Sequence, residues 1–88
     1  MDFKTFLTKL YETESVNIDI HFPNGNMFYL PDTSVGHIGE YSASADIEFY
    51  DGSTLHLEEK NIDRIVDDFE NRIFRLEMND GIIYVINY

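Results

Sequence analysis

Residues 61–70 read N-I-D-R-I-V-D-D-F-E. Ile62, Ile65, Val66 and Phe69 recur at i, i+3, i+4 and i+7, the spacing of one helical face, so a short helix is predicted here. On its N-terminal side Ala45, Ile47 and Phe49, then Leu55 and Leu57, alternate with polar residues around Asp51-Gly52, so residues 45–59 read as a hairpin. On its C-terminal side Arg72 to Met78 pairs with Ile82 to Tyr88 across Asn79-Asp80-Gly81.

The beginning of the chain has the same clear punctuation. Phe3, Phe6, Leu7, Leu10 and Tyr11 lie at helical spacing behind Asp2, a capping residue, which predicts an amphipathic helix over the first dozen residues. The period then changes to two: Val16, Ile18, Ile20 and Phe22 alternate with Asn17, Asp19 and His21, and Pro23-Asn24-Gly25-Asn26 turns the chain into Met27-Phe28-Tyr29-Leu30. The next segment, P-D-T-S-V-G-H-I-G-E-Y-S-A-S (31–44), is rich in small residues and has no steady period, so it reads as a surface loop. The predicted order is αββββαββ, a single α+β domain over residues 1–88, mainly antiparallel sheet from three hairpins with two helices.

Composition agrees with one small domain. The chain has 88 residues, 43% hydrophobic; a domain of that length has a radius of gyration of roughly 12 Å and little room for a deep catalytic cavity. The absence of cysteine removes disulfides and thiolate metal sites and suits a reducing cytosol. The N-terminus is amphipathic where a signal peptide would be uniformly apolar, and no run approaches a membrane span, so a soluble cytoplasmic protein is expected.

Charge is the strongest compositional signal. Seventeen acids against six bases leave a net charge of −11, which argues against direct binding to nucleic acid or an anionic membrane. No base occurs between Lys9 and Lys60, whereas Glu12, Glu14, Asp19, Asp32, Glu40, Asp46, Glu48, Asp51, Glu58 and Glu59 all fall in that span. Such an excess serves solubility, or it presents an acidic face to a positive partner.

The 45–59 hairpin locates that face. With a three-residue loop Asp51-Gly52-Ser53, Phe49 pairs with Leu55 and Ile47 with Leu57 on the apolar side. On the other side Tyr50 is expected across from Thr54, Glu48 from His56 and Asp46 from Glu58. Like charges directly opposite cost up to about 1 kcal/mol, so stability alone does not account for Asp46 and Glu58. Carboxylates at alternate strand positions lie about 6.8 Å apart, against one charge per roughly 1.7 Å of duplex axis. Imitation of nucleic acid therefore requires several elements, with Asp19, Asp32, Glu40 and Glu59 joining Asp46, Glu48 and Glu58, and Tyr50 and His56 as contact residues. The third hairpin is apolar in both phases of I-I-Y-V-I-N-Y. Its second face is expected to be covered by the second helix, by a central place in the sheet or by a second copy of the chain, with Tyr84 and Tyr88 as candidate self-association residues.

Catalytic chemistry is poorly represented. His21, His37 and His56 show no metal-ligand spacing, no calcium-loop pattern is present, and Ser34 near His37 lacks a nucleophile elbow and an orienting acid. No cofactor or metal is expected, and no enzymatic activity.

In its small size, lack of cysteine and base-free acidic span between Lys9 and Lys60, the chain resembles the small acidic α/β inhibitors that phages and other mobile elements direct against host nucleic-acid machinery, anti-CRISPR proteins among them. The resemblance implies a stoichiometric inhibitor that occupies a basic channel of a CRISPR effector, in the host cytoplasm, and blocks DNA or guide access. An immunity protein that neutralises a toxic nuclease, as barstar-like proteins do, shares the physics. A small homo-oligomeric scaffold is the alternative from a different class.

Overall fold

A computed structural model describes all 88 residues, Met1–Tyr88. Helix α1 (Phe3–Tyr11) is followed by strands β1 (Val16–His21), β2 (Met27–Thr33), β3 (Val35–Glu40), β4 (Ser44–Phe49) and β5 (Thr54–Glu58). A single 3-10 turn (Glu59–Asn61) then leads into β6 (Ile62–Asp68), β7 (Ile73–Met78) and β8 (Ile83–Asn87). The strands form two antiparallel sheets, ordered β2-β1-β8-β7-β6 and β3-β4-β5. The fold is thus a mostly antiparallel sheet protein, 55% strand, with one helix where two were predicted. Its radius of gyration is 12.1 Å.

The helix forms where its spacing places it. Asp2 Oδ1 accepts from the Thr5 amide at 2.7 Å, satisfying one of the free donors of the first turn. The helix ends in bonds from Glu12 N to Lys9 O and from Thr13 N to Leu10 O, reinforced by the Thr13 hydroxyl donating to Leu10 O at 2.7 Å. Phe3, Phe6, Leu7 and Leu10 are buried against the inner faces of both sheets, where Ile18, Ile47, Leu57, Phe74, Leu76 and Ile86 meet them in one core. Phe6 packs edge-on to Phe74 at 5.4 Å.

The predicted second helix is a strand, and a β-bulge explains why its spacing misleads. Ile62 pairs with Met78, yet Arg64 pairs with Glu77, so β6 carries one extra residue at Asp63. A bulge shifts the phase of the alternation by one. Ile62 and Ile65, three apart, consequently both face the core, while Val66 points to the other side of the sheet and Phe69 lies in the following turn, 77% exposed. Three of the four apolar residues are β-branched, which favours the pleated surface that β7 offers.

Bulges also account for the segment 31–44, predicted as a loop. Between Val16↔Thr33 and Ile18↔Leu30 the extra residue lies on β2, and between Val35↔Phe49 and His37↔Glu48 it is Gly36 on β3. These two irregularities bracket the point where the chain leaves one sheet and enters the other, and they erase the period of two that identifies strands elsewhere.

Three hairpins share one turn construction. In Phe22–Asn26, Phe49–Ser53 and Met78–Ile82 the first residue donates to the fifth carbonyl, and the fourth, a glycine, donates back to the first carbonyl. The third residue, Asn24, Asp51 or Asp80, accepts from the fifth amide at 2.8–3.0 Å. The glycines Gly25, Gly52 and Gly81 have φ near +90°, the left-handed region that a three-residue hairpin loop requires.

Candidate functional site

The β4–β5 turn spans Tyr50-Asp51-Gly52, with Phe49 paired to Ser53. The pairs are therefore Ala45↔Leu57, Ile47↔Leu55, Asp46↔His56, Glu48↔Thr54 and Ser44↔Glu58, two residues away from the predicted register. A slip of two preserves which side chains share a face and changes their neighbours. Asp51 selects this turn, because its Oδ1 accepts from both the amide and the hydroxyl of Ser53, at 2.8 and 2.5 Å. The expected Asp46–Glu58 and Glu48–His56 oppositions do not occur, and Tyr50 belongs to the loop.

On the outer face of the three-stranded sheet, Asp46 Oδ1 lies 2.5 Å from His56 Nδ1, a contact that becomes an ion pair when the imidazole is protonated. On the other flank of Asp46 is Gly39, where a Cβ would lie 3.6 Å from the Tyr41 hydroxyl and 3.9 Å from His37 Nε2. His37 pairs with Glu48, and Tyr50 reaches over Gly36, where a Cβ would lie 3.7 Å from its ring. Glu58 has the only cation near this face, Lys60 Nζ at 4.0 Å, and β3, β4 and β5 carry no Lys or Arg. Tyr41 is 63% and Tyr50 79% exposed. The result is a patch of three carboxylates framed by two imidazoles and two phenols.

The other candidates are dispersed. Asp19 lies on the outer face of the five-stranded sheet, between Tyr29 and Val85. Asp32 is exposed on β2. Glu40 ends β3 beside α1, lining two recesses with Leu7, and Glu59 in the 3-10 turn lines one of them with Tyr41, Asp2 and Phe3. Tyr84 and Tyr88 belong to the core side of β8: Tyr84 packs against the core, and Tyr88 stacks on Phe74. No group of three His, Asp or Glu converges as a metal-ligand set.

Sequence reading missed His37 and Tyr41 because it placed both in a loop. The signal that locates them is V-G-H-I-G-E, in which Val35 and Ile38 both reach the core across the bulge at Gly36. Compared with protein-family models, curated proteins and solved structures, the chain matches none. No helix is long and apolar enough to cross a membrane.

Proposed function

We propose that this protein is a non-enzymatic inhibitor that seats the outer face of β3-β4-β5 on a basic, nucleic-acid-binding surface of a host enzyme. The observation that carries this reading is the co-facial placement of Asp46 and Glu48 on β4 and Glu58 on β5, in a three-stranded sheet whose strands carry no Lys or Arg. A one-signed face steers an oppositely charged partner and makes association salt-sensitive, while flat hydrogen-bonding groups such as Tyr41, Tyr50, His37 and His56 supply contact area. The face is too sparse in charge to imitate a duplex alone. It suits a local cluster of Lys and Arg in a channel, and a CRISPR effector is the target class that the resemblance in size and charge suggests.

The experiment is capture of partners from cells carrying CRISPR effectors and DNA-processing enzymes, at low and high salt, with wild-type protein and Asp46→Lys/Glu48→Lys. The reading expects a basic nucleic-acid enzyme that salt releases and that the double variant binds at least about tenfold more weakly while keeping its circular dichroism. Recovery of a compact toxin nuclease would instead identify an immunity protein acting through the same face. Equal binding by wild type and variant would remove this face from the account.

A further inference from the structure

The outer face of the five-stranded sheet has a pattern unlike the rest of the surface. Strand pairing arranges its side chains in rows: Tyr29, Asp19, Val85, Arg75, Val66 in one, and Met27, His21, Ile83, Glu77, Arg64 in the next, each running from β2 to β6. The helix packs on the opposite side of this sheet, so the apolar residues Ile83, Val85, Val66 and Tyr29 face outward with no element over them. In a chain of net charge −11 these two rows are balanced, with Asp19 and Glu77 against Arg64 and Arg75. Glu77 accepts a hydrogen bond from Arg64 at 3.2 Å and forms an ion pair with Arg75 Nε at 3.3 Å, whereas Asp19 has no Lys, Arg or His within 4.0 Å.

We propose that this face binds a second copy of the chain, sheet on sheet, about a twofold axis running along β8. The charge pattern is what selects the occupant. Rotation about β8 exchanges the two sides of each row, so Val85 meets Val85 and Ile83 meets Ile83. Asp19 then faces Arg75 of the second copy, His21 faces its Glu77, and Tyr29 faces its Val66. Every pair off the axis occurs twice, as an isologous interface requires. The strands of the two copies run nearly aligned, the usual arrangement for packed sheets. Elsewhere the excess of acids repels a second copy, whereas here the lone Asp19 carboxylate gains a guanidinium. The face is about 19 Å wide, four interstrand spacings, so the dimer is weak, in the micromolar range of small interfaces.

Sedimentation velocity of the full chain between about 5 and about 500 µM tests the proposal. Its weight-average mass should rise from 10.3 kDa toward twice that value. Val85→Lys should abolish the rise, Asp19→Arg and Arg75→Asp should each weaken the dimer at least about tenfold, and the combined reversal should recover most of the wild-type affinity. Thermal melts of the same samples exclude misfolding as the cause. Asp46→Lys/Glu48→Lys should dimerise normally, which separates this interface from the inhibitor face. A monomer at every concentration, a dimer indifferent to Val85→Lys, or a double reversal no better than the single ones would overturn the proposal.

Discussion

The Tyr88 ring stacks on Phe74 with centroids 4.5 Å apart and planes 19° from parallel. Its hydroxyl donates to Asp67 at 3.3 Å, and its amide and carbonyl bond to Arg72, the one non-glycine residue at positive φ. One side chain thus closes the core beside α1, and its backbone fixes the β6–β7 turn. Tyr88→Ala should cost about 2–4 kcal/mol in urea unfolding, whereas Tyr88→Phe, which keeps the stack, should cost under about 1 kcal/mol.

Stability should fall at high pH. Burial raises the Tyr88 hydroxyl above its ordinary 10.0, with Asp67 adding to the effect. Burial likewise raises Tyr84, and a hydrogen bond to Asp67 raises Lys9 above 10.5. All three hold their protons more tightly folded than unfolded, so their contribution is complete below the unfolded values and is lost as pH climbs through the folded ones. The Tm should drop as pH rises past the ordinary tyrosine value of 10.0, and Tyr84→Phe/Tyr88→Phe should flatten that limb.

The acid limb has the opposite sign. Hydrogen bonds from Ser53 hold Asp51, and from Thr5 hold Asp2, below the ordinary 3.8. Their stabilisation is present above that value and disappears as pH falls through the lowered ones. Asp51→Asn should reduce the slope of Tm against pH below about pH 4. An unchanged slope would mean that the Ser53 bonds persist in the unfolded chain.

The equivalent turn glycines should differ in cost. An added Cβ at Gly52 meets nothing within 4 Å, so Gly52→Ala should cost only the left-handed backbone penalty of about 1–2 kcal/mol. At Gly81 the same atom lies 3.0 Å from Pro23 Cγ, across from the first hairpin, so Gly81→Ala should cost more in the same urea titration.

Ile65 and Phe69, which a helix would place on one face, should respond differently. Ile65→Ala should cost about 2–4 kcal/mol, and Phe69→Ser should stay within about 0.5 kcal/mol, because the first is buried and the second is a turn residue in water. Equal losses would restore the helical reading of residues 61–70.

The legible parts of the fold are those whose signals are local. Helix α1 follows from an unbroken 3.6-residue period and a capping aspartate, and the Asn79-Asp80-Gly81 hairpin follows from turn chemistry in the predicted register. What stayed hidden is the work of single extra residues. Asp63 and Gly36 each shift a strand by one position, so that Ile62 with Ile65, and Val35 with Ile38, share a face at helical spacing. A bulge is stabilised by the partner strand, and in the one-dimensional pattern it is indistinguishable from a change of period. At the acidic face, parity alone grouped Asp46, Glu48, His56 and Glu58, while the neighbours of each depended on a turn starting at Tyr50 instead of Asp51.

Because β8 lies between β1 and β7, the strand next to the N-terminal helix receives its inner neighbour only from residues 83–87. On the ribosome, β1 and β2 can pair early, but the open edge of β1 must wait until β8 has emerged. The five-stranded sheet can therefore close only once residues 83–87 are available, and a chain halted at residue 82 would hold two adhesive edges in place of one finished sheet.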